Sequence, residues 1–242
     1  SGSFTADFSG EVDIEPGDTV RLGYENADHN EVYIYRYAPY ARVNYTWDWV
    51  DGRASPGATV VVTVTRGGEV IGTGSDVAGG DGWFGTDVWG DGEHVDILPG
   101  DVVEAVGGDL SATMTVITIT GDIDVDSDVV SGQMFGGSFP ADGYLDIWQA
   151  STDNWYGWPM DIAGDGSFSV DLSGEFDIQR GDRATPWYID PNGNWIGTVL
   201  FTPYLQANVN QSHDWVNGEA TPDTTVYVTV TRGSEVIGTG QD

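Results

Sequence analysis

Cysteine and lysine are both absent from the 242 residues. Without thiols there is no disulfide and no thiolate metal site to hold the chain together, and cysteine usage leaves the redox compartment open. Eight arginines are the only permanent cations against 39 acids, a formal charge of −31. That balance excludes nucleic acid and anionic membrane surfaces as partners, since both require basic patches. Cations are the favoured counterparts, although an acidic surface also suits a high-salt milieu. No run is apolar for the ~20 residues needed to span a bilayer, so membrane insertion is not expected. No signal peptide opens the chain, which reads as soluble, and as either a mature protein or an excerpt of a longer one. Helical spacing with caps is missing throughout, which leaves an all-β protein.

Turn chemistry and repetition are abundant. Aspartates number 29 and glutamates 10, the bias expected where carboxylates cap their own backbone in turns. The stretch Trp49 to Gly74 returns as Trp215 to Gly240 with 19 of 26 positions identical and no gap. Self-similarity of that kind marks a repeat array. A more distant copy of its opening D-x-V-x-G lies between, so that Asp48, Asp128 and Asp214 stand 80 and 86 residues apart. A second set of signals also recurs, a G-x-F at Gly2, Gly82 and Gly166 followed by D-I-x-x-G-D at Asp13 to Asp18, Asp96 to Asp101 and Asp177 to Asp182. In that frame residues 1–46 are the back half of a unit, 47–121 and 126–208 are whole units, and 212–242 is a front half.

Within the units the period is two. Val60, Val62 and Val64 fall on one face of Thr59 to Thr65, and Tyr144 to Trp148 and Thr225 to Thr231 behave similarly. Val20-Leu22-Tyr24 and Val32-Ile34, on either side of an Asn-rich loop, read as a hairpin. Short strands with turn signals every ~8–12 residues predict a β-sandwich per unit, viable without disulfides given the Trp and Val available for its core.

Val50-x-Gly52-x-Ala54-x-Pro56-Gly57-Ala58-Thr59-Val60-x-Val62, then V-I-G-T at Val70 to Thr73, D-G-x-F at Asp81 to Phe84 and P-G-D at Pro99 to Asp101, resembles the bacterial Ig-like (Big-type) domains strung along large cell-surface proteins. The resemblance is good over 48–118 and 212–242. It is weaker over 126–208, where Phe139 to Gly143 replaces the S-P-G-A-T turn. It implies a seven-strand Ig-like sandwich, an extracellular or cell-surface setting and a structural or adhesive role, with no catalytic residues to carry over.

Four aspartates, Asp122, Asp124, Asp126 and Asp128, alternate in GDIDVDSD between the two whole units. On an extended segment their carboxylates would share one face about 6–7 Å apart. A hard cation such as Ca²⁺ would relieve their repulsion and stiffen the junction; a hydrated acidic linker is the alternative. Asp18, Asp81, Asp101, Asp165 and Asp182 read as plain turn residues. Five tryptophans of the second unit, Trp148, Trp155, Trp158, Trp187 and Trp195, suit a sandwich core, while Trp155 and Trp158 would stack on sugar rings if exposed. Polysaccharide is therefore a possible partner, and a carbohydrate-binding module or an accessory region of a secreted enzyme or adhesin the alternative function. Catalysis is not expected: His29, His94 and His213 fall at non-equivalent places in the repeat, and no nucleophile motif accompanies them.

The half-units at the two ends together make about one whole unit. If whole sandwiches stand in line between them, the halves are held apart, and the partner for each is another copy or the next repeat of the same chain. The expected contact is head to tail, with Val226, Val228 and Val230 against Phe4, Phe8, Val12 and Ile14 of a neighbour. The expected function is a structural subunit or segment of an extracellular filament, stiffened by calcium.

Overall fold

The computed structural model describes residues 4–202, 205–220 and 224–242, leaving aside the side chains of Gln206 and Glu219. Gly2 and Ser3 of the first G-x-F, and Thr221 to Asp223 of the repeated stretch, lie outside the described residues. Every regular element described is a strand, so the chain is all-β.

The chain opens with a hairpin of β1 (Thr19–Glu25) and β2 (Glu31–Tyr37). Unit A follows as β3 (Tyr40–Asn44), β4 (Trp49–Arg53), β5 (Thr59–Arg66), β6 (Glu69–Val77), β7 (Trp83–Asp87), β8 (Trp89–Gly90), β9 (Glu93–His94), β10 (Val102–Gly107) and β11 (Leu110–Thr115). Unit B is β12 (Thr118–Asp124), β13 (Val129–Phe135), β14 (Ala141–Gln149), β15 (Asn154–Ile162), β16 (Ser167–Asp171), β17 (Arg183–Ile189), β18 (Trp195–Gly197) and β19 (Leu200–Phe201). The chain closes with two hairpins, β20 (Leu205–Asn210) with β21 (Trp215–Ala220) and β22 (Tyr227–Arg232) with β23 (Glu235–Gln241).

Both units are wound the same way. In A a three-stranded sheet β3-β4-β7 accompanies a sheet running β11-β10-β5-β6, which β8 and β9 extend. In B the equivalents are β12-β13-β16 and β18-β17-β14-β15, with β19 continuing the line of β18 along β17. Val60, Val62, Val64, Val103 and Ala105 of the four-stranded sheet in A are fully buried, as are Val43, Val50 and Phe84 of the three-stranded one. Each of the valines and Phe84 contributes about 1.5–3 kcal/mol by leaving water.

The repeated motifs are the parts that join these sheets. Asp48, Asp128 and Asp214 take left-handed backbone (φ 53°, 56° and 53°) at the end of a four-residue turn between paired strands. From there Asp48 Oδ1 accepts the Ile97 N–H at 2.7 Å, and Asp128 Oδ1 the Ile178 N–H at 2.8 Å. The first aspartate of one motif thus holds the isoleucine of D-I-x-x-G-D. Gly52 is the cross-strand partner of Phe84, and Gly132 of Phe168. A Cβ on Gly52 would strike the Tyr40 carbonyl oxygen and reach 3.0 Å from the Phe84 ring, and one on Gly132 would meet Phe168 at 2.6 Å. Glycine is therefore required where the phenylalanine of G-x-F lies across the strand. The closing aspartates Asp18, Asp101 and Asp182 each accept a backbone N–H three residues earlier in a turn, as expected from sequence.

Two expectations change. The D-x-V-x-G motif marks the turn inside a hairpin, so the first strand of each unit (β3, β12, β20) lies upstream of the boundary read from the motif. Nor are A and B separate sandwiches in line. β18 of B pairs in parallel with β3 of A, Trp195 opposite Arg42 and Gly197 opposite Asn44. The β3-β4-β7 sheet of A thereby joins the strands of B, themselves linked through β15 and β16, in one eleven-stranded sheet, while the six-stranded sheet of A stays separate. The buried residues of A and B accordingly form one hydrophobic cluster.

Candidate functional site: a tryptophan-lined cleft at the seam of the two units

The seam is held by polar groups. The Tyr45 hydroxyl donates to the Ile119 carbonyl at 3.1 Å and accepts the Ile119 N–H at 3.0 Å. Thr46 Oγ1 lies 2.7 Å from Thr198 Oγ1 and accepts the Val199 N–H at 2.8 Å. Asn194, itself fixed by Asp190, accepts the Ala41 N–H at 3.2 Å. Arg183 of B sits between rings, its guanidinium carbon 4.8 Å from the Trp148 centroid and 5.6 Å from that of Trp47 in A.

Alternation along the fused sheet puts one set of side chains on the face opposite the core. From β15 towards β4 these are Trp155, then Tyr144, Asp146 and Trp148, then Arg183, Thr185 and Trp187, then Trp195, then Tyr40, Arg42 and Asn44, then Trp49 and Asp51. Glycines let two of the rings lie against the sheet: a Cβ on Gly197 would fall 2.5–2.8 Å from the Trp187 ring, and one on Gly157 would strike Tyr144. The face encloses a cleft of about 490 Å³ lined by Arg42, Asn44, Trp47, Trp49, Asp51, Asp146, Trp155, Thr185 and Trp187.

Its floor is charged and internally matched. Arg42 Nε donates to Asp51 Oδ1 at 2.7 Å, Trp49 Nε1 to Asp51 Oδ2 at 3.2 Å, and Trp187 Nε1 to Asp146 Oδ2 at 2.8 Å. The guanidinium carbon of Arg42 is 5.3 Å from the centre of the Trp187 ring. Burial works to lower the Arg42 pKa, but the charge and hydrogen bond of Asp51 outweigh it and hold the guanidinium ionised. Burial pushes the Asp146 carboxyl up, only partly offset by the Trp187 indole and Arg42. A carboxyl raised in the folded state contributes stability that is full below its unfolded value of about 3.9 and is lost as pH rises through the folded value. Asp146→Asn should therefore melt higher than the parent at pH 7, and the gap should close on acidification. Thermal melts of both chains across that range check it, and a gap independent of pH would assign the effect to packing.

Trp155, one of five tryptophans expected to suit a core and to stack on sugars only if exposed, stands at this cleft with 62% of its surface exposed. Trp158 does not share the site: it lies on the opposite face and packs edge-on to Phe176, centroids 5.3 Å apart. Trp187 is buried, as expected of a core tryptophan, but beneath the cleft. The remaining lining residues were not singled out from sequence. A signal does exist in the repeat itself, because the Arg42–Asp51 cross-strand pair is Asp122–Ser131 in unit B and Asn208–Asn217 in the final half.

The four aspartates expected on one face of an extended linker are placed otherwise. Asp122 and Asp124 are in β12, whereas Asp126 and Asp128 belong to the hairpin turn, so alternation stops at Asp124. Asp124 Oδ1 accepts the Asp126 N–H at 2.9 Å, and Asp128 holds Ile178. Among the described residues no three His, Cys, Asp or Glu gather as a group fit to hold a metal ion.

Fold and internal repetition define the chain as tandem β-sandwich repeats. No family model matches the sequence, and comparison with curated proteins finds no relative. Among solved structures the chain is similar to a tetra-tandem repeat in the extending region of a large adhesion protein, 18% identical over 93% of this chain and 69% of that one, with a TM-score of 0.28. It is also similar to the BSP domain of a biofilm-associated protein, 14% identical over 68% of this chain and 29% of that one, with a TM-score of 0.24. The superpositions are loose at these scores, and neither match bears on how the cleft works.

Proposed function

We propose that this chain is a non-catalytic structural segment of an extracellular or cell-surface fibre, whose end halves complete one another head to tail. The observation that carries this reading is a difference in burial at equivalent positions. Phe84, Val88, Val95 and Ile97 of unit A are buried, while their counterparts Phe4, Phe8, Val12 and Ile14 are 73%, 44%, 59% and 47% exposed. Val60, Val62 and Val64 are fully buried, whereas the matching Val226 and Val228 are half-buried and Val230 is exposed. β1-β2 and β22-β23 stand as isolated two-stranded sheets, and such pairs are marginal until a further strand and a covered face support them. Pairing of β1 with a neighbour's β22 would repeat the β10–β5 ladder of unit A, and would set Asp214 against Ile14 as Asp48 is set against Ile97. The contact is heterologous, so it propagates as a filament where it does not close into a ring.

The test uses two blocked chains, Val228→Asp in the front half and Ile14→Asp in the back half. The parent should grow with concentration in light scattering, each blocked chain alone should stay monomeric, and their mixture should stop at a heterodimer. A parent that stays monodisperse at high concentration sinks the proposal. Calcium stiffening, the finer part of the reading, falls to Asp122 and Asp126, whose carboxylates accept no hydrogen bond among the described residues. An Asp122→Asn/Asp126→Asn chain should lose any calcium-dependent rise in melting temperature shown by the parent, and a parent indifferent to calcium removes the cation from the reading.

A further inference from the structure

We infer that the seam cleft is a binding site for a neutral carbohydrate, seated on Trp47 and Trp155 with its hydroxyls on Arg42 and Asp146. The site is independent of the end halves and stands or falls apart from fibre assembly. Its volume of about 490 Å³ lies inside the ~300–1,000 Å³ range of small-ligand pockets, and it joins two units, a usual place for one.

The lining decides the ligand class. Trp47 and Trp155 are 48% and 62% exposed and both line the cleft, so it presents apolar ring surface to water. A flat ligand with an apolar face and a polar rim fits them. The floor then supplies unused hydrogen-bonding capacity of both kinds. Arg42 commits only Nε, leaving its two Nη groups without a protein acceptor among the described residues. Asp146 accepts through Oδ2 and leaves Oδ1 open. Hydroxyl groups, which both donate and accept, satisfy such a pair together. An anionic sugar is disfavoured by the chain's charge of −31. A quaternary ammonium would also seek tryptophans, but here it would meet the Arg42 guanidinium, while both oxygens of Asp51 are already occupied by Arg42 and Trp49.

The repeat argues that the cleft is not a by-product of the fold. At positions equivalent to Trp47 and Arg42, unit B carries Ser127 and Asp122, and the final half carries His213 and Asn208. The scaffold is therefore buildable without these side chains. Departures from a local pattern of this kind concentrate at functional sites.

The experiment titrates the full chain with cellohexaose, xylohexaose, mannohexaose and maltohexaose, with trigalacturonate, and with tetramethylammonium, read by tryptophan fluorescence and calorimetry. At least one neutral hexasaccharide should bind. Trp155→Ala and Trp47→Ala should each weaken it about tenfold or more, as for an exposed aromatic anchor, while Trp158→Phe changes it less than about twofold. Both alanine variants remove exposed side chains, and an unchanged melting temperature separates lost binding from lost folding. Absence of binding by every neutral sugar overturns the inference, as does binding that survives both alanine variants. Binding of tetramethylammonium or trigalacturonate in preference to the sugars overturns it too.

Discussion

Phe84→Ala is expected to cost about 3–5 kcal/mol, the range for removing a fully buried phenylalanine and leaving a cavity. Phe84 has no exposed surface and lies across the strand pair from Gly52. The cavity cannot be refilled from the opposite strand, because a side chain at Gly52 meets the Tyr40 carbonyl oxygen first. Phe168→Ala, in the same place of unit B, should behave alike. Urea unfolding of the full chain measures both. Since A and B are joined through β18 and β3 and bury one core, either substitution should shift the transition of the fused pair as a whole. A loss below about 1 kcal/mol would mean that the sheets close over the gap.

Arg42→Ala is the second large effect. It leaves Asp51 without its cation, and Asp146 with only the Trp187 indole to offset a burial that already raises its pKa. Removing one partner of a buried pair costs about 3–5 kcal/mol where both are fully enclosed. Arg42 and Asp51 side chains are 27% and 12% exposed, so about 2–4 kcal/mol is expected here after solvent screening. Most of that penalty comes from the stranded carboxylate, so Arg42→Ala/Asp51→Asn should recover more than half of it. A double variant as unstable as the single one would show that the arginine acts through packing at Trp187 instead. The substitution also lies beside the only parallel strand pair among the described residues, so it reports on the fusion of the two units.

Much of the fold was legible because it depends on local signals. Alternating valines at Val60, Val62 and Val64 state which face is buried, since side chains on a strand alternate by geometry alone. Asp-Gly and Pro-Gly pairs place the turns, and the repeated motifs announce a duplicated unit. The chemistry of those motifs was less legible. D-x-V-x-G looks like a domain opening, but its aspartate is a turn residue whose carboxylate reaches Ile97 some 49 positions away. The same fact removes the acidic linker, for Asp128 was grouped with its sequence neighbours when its partner is Ile178.

By itself the sequence determined an all-β protein, its duplicated unit, the inward face of strands such as β5 and the acidic surface. These follow from side-chain period, turn preference and charge, which need no knowledge of distant contacts. The tertiary structure alone decided that β18 joins β3, and with it the cleft. Residues as far apart as Arg42 and Trp187 come together only through a strand pairing made by backbone hydrogen bonds, which any residue except proline can donate and accept. Nothing in a sequence period specifies which free edge another edge will meet.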